Sequence, residues 1–385
     1  MKKKVFSVML VLAMVAACLS GCGASAGGSS NTFKIGGIGP TTGGAAVYGI
    51  AVRNGAELAV NEINAAGGIN GYQIDYKFED DELDNEKSVN AYNALKDWGM
   101  NILVGSVTSG CCTAVAAEAS NDNMFQITPS GSSADCTAGN DNVFQVCFSD
   151  PNQGIGAADY IGANGIATKV AVIYDSSDVY SSGIYTKFAA EAASQNFEIV
   201  SAEAFTADSK TDFSVQLQKA SDAGADLVFL PIYYTEASLI LTQANTMGYT
   251  PKFFGCDGLD GILGVENFDT SLAEGVMLLT PFAADAKDEA TQKFVKDYEA
   301  KYGETPNQFA ADAYDAIYVI KAAVEKSGAT PADSVADLGT KLEDAMHQIT
   351  VDGLTGAAMS WDDDGAVNKA PKAMQIVNGN YSLIQ

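Results

Sequence analysis

The chain has 385 residues, 47% of them hydrophobic, and a formal net charge of −26. The excess of acidic residues argues against nucleic acid and anionic lipid as binding partners, because both are negatively charged. The apolar content is typical of a globular protein, and the length suggests two domains of ordinary size.

The N-terminal segment has the composition of a signal peptide, predicted for residues 1–21. Three lysines at Lys2–Lys4 precede an apolar run, Val5–Ala17, that is too short to span a bilayer. The following Leu19-Ser20-Gly21-Cys22 looks like the lipobox of a bacterial lipoprotein, although Cys22 could be incidental in an ordinary secretory signal. Residues 22–32 are predicted to form a lipid-anchored flexible linker. We therefore expect an extracytoplasmic protein, held at the outer face of the bacterial cytoplasmic membrane through the Cys22 lipid only.

Predicted strands and helices alternate from Phe33 onward. Phe33–Ile38 is strand-like, and Val47–Ala66 has helical spacing that ends at two glycines. Pro151 begins a second round of similar alternation. A last pair of strands brackets Asn378-Gly379-Asn380, which is typical of a hairpin turn. The pattern predicts two α/β halves, each with a doubly wound parallel sheet, and a cleft between them.

The segment Asn101–Ser120 joins a predicted strand to a predicted helix. Ile102–Val104 is a short apolar run, and alanine-rich sequence follows. Between them lie three hydroxyl side chains, Ser106, Thr108 and Ser109. A helix start after a strand offers free backbone N–H groups that favour an anion, and the absence of Lys and Arg fits a small carboxylate. The alternative is that these hydroxyls only cap the helix.

Other predicted strand ends carry hydroxyls, acids and tyrosines. An α-amino acid needs donors for its carboxylate, an acid for its ammonium and apolar walls for its side chain. Taken singly, tyrosines are usually packing residues and Asp-Gly is usually a turn, so the prediction depends on their joint position. The side chains concerned are Tyr48, Ser130, Ser132, Asp150, Tyr180, Tyr233 and Asp257.

Several segments together carry a family resemblance over nearly the whole chain after the linker. They are Ile35–Pro40, Asn61–Gly71, Gly105–Ser109, Ile127–Ser130, Asp150–Gly154 and Trp361–Gly365. The chain resembles the bacterial solute-binding lipoproteins of ABC importers, of the type that binds branched-chain amino acids (leucine, isoleucine and valine). The resemblance implies a type I periplasmic binding protein-like fold, with two lobes joined by a hinge. The expected lobes are 33–149 plus 281–355 and 150–280 plus 356–385.

The resemblance also implies roles at the carboxylate end of the ligand. Ser109 matches the hydroxyl that binds the ligand carboxylate, with Thr108 beside it. Ser130 and Ser132 match a second loop, in which a backbone carbonyl and a hydroxyl meet the α-amino and carboxylate groups.

At the ammonium and side-chain ends, the resemblance assigns acids and aromatic rings. Asp257 matches the acid that pairs with the α-ammonium, although the family's leucine binder has Glu there. Asp150 lies where the family often has an acid at the hinge. Tyr233 matches a ligand-contacting tyrosine, and Tyr48 and Tyr180 match aromatic walls of the cleft.

The resemblance thus implies a binding protein rather than an enzyme. We expect a monomer that captures an amino acid, branched-chain or similarly apolar, and delivers it to the permease and ATPase subunits of an ABC importer. The alternatives are a ligand-sensing receptor domain of the same fold, or a binder of another small acid or amide. No cofactor is expected. A metal site is not expected either, because His347 is the only histidine and no Cys-x-x-Cys motif occurs.

Five cysteines lie beyond the predicted lipid attachment site. Cys111 or Cys112 with Cys136 is predicted as a disulfide, because both flank candidate site loops. Cys147 and Cys256 are interpreted as small buried apolar residues.

Overall fold

The structure is a computed structural model, and it describes residues 32–384. Its first sheet contains five parallel strands in the order β2-β1-β3-β4-β5. These strands are β1 (Thr32–Gly39), β2 (Gln73–Asp80), β3 (Ile102–Val104), β4 (Gln126–Thr128) and β5 (Val143–Gln145).

The second sheet contains seven strands in the order β12-β11-β10-β9-β8-β6-β7. Its strands are β6 (Lys169–Asp175), β7 (Glu198–Phe205), β8 (Leu227–Leu230), β9 (Lys252–Gly255), β10 (Met277–Thr280), β11 (Lys372–Val377) and β12 (Asn380–Leu383). Strand β11 runs antiparallel to β10 and β12, whereas the other pairings are parallel. The predicted final hairpin is confirmed, with Asn378 and Gly379 at positive φ in its turn.

Ten α-helices connect and cover these sheets within residues 32–384. They are α1 (Ala46–Ala65), α2 (Asn85–Trp98), α3 (Ser109–Asp122), α4 (Asp150–Ala163), α5 (Val179–Ala192), α6 (Ser214–Asp222), α7 (Tyr234–Met247), α8 (Glu289–Tyr302), α9 (Gln308–Ser327) and α10 (Val335–Met346). None of these helices is long and apolar enough to cross a membrane.

Both sheets are buried on both faces, as the continuous apolar runs of their central strands predict. In β3, Ile102 and Val104 belong to the largest hydrophobic core, whereas Leu103 packs in a separate core on the other face. In β8, Val228 and Phe229 alternate between two cores in the same way. Such alternation places helices on both sides of each sheet, so the predicted α/β class is confirmed.

Side chains fix where several of the helices begin. Asp84 accepts a hydrogen bond from the N–H of Lys87 at the start of α2, and Asp178 accepts one from the N–H of Tyr180 at the start of α5. Such N-caps satisfy donors that the first turn of a helix leaves free. Helix α3 begins at Ser109, so the hydroxyl-rich turn leads directly into the helix.

The strand ends of the two sheets face each other across a cleft. The two halves contact each other at the edge of this cleft. The Thr235 hydroxyl donates to the Gly44 carbonyl over 2.6 Å, and the Val47 N–H donates to the Tyr234 hydroxyl over 3.2 Å. The loops after β3 and β4 therefore lie opposite the loops after β6, β8 and β9.

Candidate ligand-binding site

The turn between β3 and α3 supplies hydroxyls and free backbone N–H groups. Thr108 is the N-cap residue of α3, but its side chain makes no capping bond, and Thr108 Oγ1 is buried without a hydrogen bond of regular geometry to any described residue. Ser109 Oγ accepts hydrogen bonds from the N–H groups of Ser132 (3.2 Å) and Ser133 (3.1 Å). The explanation that these hydroxyls only cap the helix is therefore wrong. The helix start can hold an anion.

The two predicted serines in the loop after β4, Ser130 and Ser132, have different roles. Ser130 Oγ donates to the Val107 carbonyl over 2.7 Å, so this hydroxyl links the loop after β4 to the loop after β3. Ser132 Oγ is buried and forms no hydrogen bond of regular geometry. Of the two hydroxyls, that of Ser132 is available to a ligand.

Asp257 follows β9 and is 3% exposed. The Tyr180 hydroxyl donates to Asp257 Oδ1 over 2.8 Å and also accepts the Gly258 N–H at 2.9 Å. Burial raises the pKa of Asp257 to about 7, while hydrogen bonds from Tyr180 and Gln153 oppose this rise. The carboxyl group is thus held by the Tyr180 hydroxyl and sensitive to a nearby positive charge.

Asp150 begins α4 and is 1% exposed. Both of its carboxylate oxygens lack a hydrogen bond of regular geometry, although its backbone N–H donates to the Ser132 carbonyl over 2.9 Å. Burial raises the pKa of Asp150 well above its ordinary value, the Ser132 hydroxyl lowers it, and the charges of Asp257 and Asp178 raise it further. Two buried carboxyl groups on one side of the cleft suit a ligand with a cationic group.

Three tyrosine rings meet between the halves. Tyr180 and Tyr233 stack with ring centroids 5.0 Å apart, and Tyr48 meets Tyr233 edge-on at 5.7 Å. The Tyr48 hydroxyl donates to the Gly258 carbonyl and accepts the Tyr234 N–H at 3.3 Å. Because the hydroxyls of Tyr48 and Tyr180 are already bonded, these rings offer mainly apolar surface to a ligand.

A cavity of about 240 Å³ opens beside these residues. Thr108 and Cys111 line it from the first half, and Asp178, Ile232 and Tyr233 line it from the second. The cavity is therefore shared by the two halves.

A larger cavity of about 670 Å³ has walls that include Ile50, Phe282 and Tyr381. It contains none of the nine predicted ligand-contacting residues. We assign the site by the buried unpaired polar groups, because size alone does not distinguish a binding site.

Two glutamines complete the surroundings of Asp257 and were missing from the sequence-based prediction. Gln153 Oε1 accepts the Asp257 N–H at 3.1 Å, and Gln308 Nε2 donates to the Asp257 carbonyl over 3.2 Å. Gln153 lies within Asp150–Gly154, one of the segments that carry the family resemblance, so the sequence could have indicated this residue. Gln308 had no such signal, because it comes from a distant helix.

The predicted disulfide is wrong. Cys111, Cys112 and Cys136 are buried free thiols. Cys136 Sγ donates to the Ser109 carbonyl over 3.7 Å, and Cys112 Sγ accepts from Gln126 Nε2 at 3.5 Å. The Cys112 and Cys136 thiols also contact each other, yet both are free. Cys147 and Cys256 are buried, as predicted.

Of the nine predicted contact residues, Thr108 and Tyr233 line the smaller cavity, and the contact of all nine with a ligand remains a prediction. Direct contacts link the serine loops to Asp150, and the tyrosines to Asp257. Cys22, the predicted lipid attachment site, lies outside the described residues.

Two α/β halves around a polar cleft define the class of two-lobed ligand-binding proteins. A family model described as "Periplasmic binding protein" matches residues 32–380, and the chain belongs to this family.

Similar proteins share most of this length. A Leu/Ile/Val-binding protein homolog 3 of Brucella melitensis is 34% identical over 77% of this chain and 80% of its own. The leucine-, isoleucine-, valine-, threonine-, and alanine-binding protein of Pseudomonas aeruginosa is 29% identical over 80% and 82%. The structure of LivJ from Streptococcus pneumoniae, a branched-chain amino acid transporter substrate-binding protein in complex with isoleucine, has a TM-score of 0.82 and 31% identity. It covers 91% of this chain and 98% of its own.

Proposed function

We propose that the protein is an extracytoplasmic solute-binding protein that captures an α-amino acid between its two halves for an ABC importer. The observation that carries the proposal is a set of buried polar atoms at the cleft that form no hydrogen bond of regular geometry within residues 32–384: Thr108 Oγ1, Ser132 Oγ and both carboxylate oxygens of Asp150. Buried polar groups are normally hydrogen-bonded, so this set indicates a polar ligand with both donors and acceptors.

The ligand is a branched-chain or similarly apolar amino acid. Neutral donors at Ser109 and Ser132 suit its carboxylate, and Asp257 and Asp150 suit its ammonium. The ring of Tyr233 offers an apolar surface to its side chain. The names of the relatives from Brucella melitensis and Pseudomonas aeruginosa agree with this ligand class.

Binding closes the two lobes by hinge bending. The proposed lobes are 33–149 plus 281–355 and 150–280 plus 356–385. Packing of α9 on α1 supports the first, and β11 and β12 at the edge of the second sheet support the second.

The segment in which the chain crosses between the lobes for the last time forms two contacts with the first lobe. Trp361 Nε1 donates to the Gln145 carbonyl over 2.7 Å, and Lys369 Nζ pairs with Asp312 Oδ1 over 2.9 Å in a buried ion pair. The proposed second lobe therefore has a segment, residues 356–369, that contacts the first lobe before the chain enters the second sheet.

The partners of the loaded protein are the permease and ATPase subunits of the importer, and the protein acts as a monomer without catalysis. It is held outside the cytoplasmic membrane by a lipid on Cys22. We predict that Cys22→Ala abolishes lipid attachment, because no other cysteine follows a lipobox. Labelling cells with radioactive palmitate tests this, and a labelled, membrane-bound variant would contradict it.

Calorimetry and thermal unfolding with the twenty common amino acids test the proposed function. A ligand that binds only the folded protein raises its stability by RT ln(1 + [L]/Kd), so leucine, isoleucine or valine is expected to raise the Tm most. The matched controls are the deaminated and the decarboxylated analogue of leucine. Failure of every amino acid to bind would overturn the proposal.

A further inference from the structure

Gln153 is a buried glutamine whose bonding is incomplete. It lies in the first turn of α4, three residues after Asp150, so the two side chains lie on one face of the helix. The residue is completely buried, and its Nε2 forms no hydrogen bond of regular geometry with any residue in the described part of the chain. An unpaired buried amide is destabilising, so an apolar side chain would serve better if the position only filled space.

The contacts of Gln153 lead to one carboxyl group. Its Oε1 accepts the backbone N–H of Asp257 at 3.1 Å, which fixes the amide plane and leaves Nε2 as the remaining donor. The side chain also lowers the pKa of Asp257 and so favours the charged form. Tyr180 approaches the same carboxyl group through its hydroxyl, and the charges of Asp312 and Asp150 oppose its ionisation.

We propose that Gln153 is a positioning residue that holds the Asp257 carboxylate ionised and turned toward the α-ammonium of the ligand. The inference rests on the proposed function, because it assumes a ligand with an ammonium group. Without hydrogen bonds to its charged form, a completely buried carboxyl group is neutral at neutral pH and attracts a cation poorly. Gln153 thereby sets the pH range over which the protein binds its ligand.

The direction in which pH changes the affinity follows from the ionisation state of Asp257 that binds the ligand. The ammonium pairs with ionised Asp257, whereas in the ligand-free protein the pKa of Asp257 is raised to about 7 by burial. Below that pH a proton must leave before the ligand binds, so affinity falls by up to about tenfold per pH unit. Loss of Gln153 raises the pKa further and moves the fall in affinity to higher pH.

The experiment measures the Kd for L-leucine from pH 5.5 to 8.5 with wild type, Gln153→Met and Gln153→Glu. We expect Gln153→Met to move the midpoint upward by about one pH unit, which makes binding about tenfold weaker at pH 6 and leaves a smaller difference at pH 8.5. Gln153→Glu keeps the volume of the side chain but replaces the amide with a buried carboxyl group. Two adjacent buried carboxyl groups share one proton, so the midpoint again moves to higher pH. This variant also provides the test if the Met variant fails to fold.

Gln195→Met is the matched control. Gln195 Nε2 donates to Asp159 Oδ1 over 2.8 Å at the outer surface of the same half, so its loss removes a glutamine–carboxylate pair away from the cleft. This control is expected to bind leucine like wild type at every pH.

Three outcomes separate the two claims. A loss of affinity that is equal at every pH would assign Gln153 a merely structural role and overturn the inference, as would an unchanged midpoint. If wild type binds no amino acid at all, the proposed function itself fails.

Discussion

The two sides of the cleft use different chemistry. The first half presents neutral groups: the hydroxyls of Thr108, Ser109 and Ser132 and the N–H groups at the start of α3. The second half presents the buried carboxyl groups of Asp150 and Asp257. In the first half, several neutral donors can therefore bind the ligand together, whereas the second half depends on the charge of its carboxyl groups.

This difference predicts unequal tolerance to mutation. Several neutral donors around one carboxylate can substitute for each other, and a lost neutral hydrogen bond costs about 1 kcal/mol. A desolvated charge without its partner costs about 3–5 kcal/mol. The predictions below follow this order, from the charged side of the cleft to the neutral one.

The largest effect is expected from Asp257→Ala. It leaves the ligand ammonium without its nearest acceptor, so we predict a loss of about 3 kcal/mol in binding free energy, or more than 100-fold in Kd. Calorimetry with leucine checks this. Asp269→Ala is the control, because Asp269 caps a short helical turn away from the cleft. Wild-type affinity in Asp257→Ala would show that the ligand is not held as an amino acid at this site.

A smaller effect is expected from Tyr180→Phe, which keeps the ring stacked on Tyr233 but removes the hydroxyl bonded to Asp257. A hydrogen bond to a charged group contributes about 1.5–3 kcal/mol, so leucine binding should weaken at least about tenfold. Tyr185→Phe is the control, since Tyr185 stacks on Tyr174 outside the cleft. Equal affinities of Tyr180→Phe and wild type would mean that the hydroxyl does not support Asp257.

The smallest effect is expected from Ser109→Ala. The α3 start and the Ser132 hydroxyl still face the ligand carboxylate, so the loss should be about 1 kcal/mol, or roughly fivefold in Kd. The same titration measures it. A loss as large as that of Asp257→Ala would remove the distinction between the two sides.

The fold and part of the site were predictable because their signals are local. The apolar run Ile102–Val104 followed by hydroxyls predicted a strand, a turn and a helix start, and Asn378-Gly379 predicted a hairpin. The support of Asp257 by Tyr180 was not predictable, because it joins residues 77 positions apart. The disulfide prediction was wrong even though the Cys112 and Cys136 thiols contact each other, because the position of two loops indicates proximity but not whether two thiols are oxidised.

The central claim is that Asp257 recognises the ligand ammonium, and a two-by-two calorimetric cycle tests it most directly. Leucine and its deaminated analogue are each titrated into wild type and Asp257→Ala. The account predicts that the substitution weakens leucine by more than about 100-fold and leaves the analogue nearly unchanged, which gives a coupling energy of about 3 kcal/mol. Equal losses for both ligands, and thus a coupling energy near zero, would contradict it.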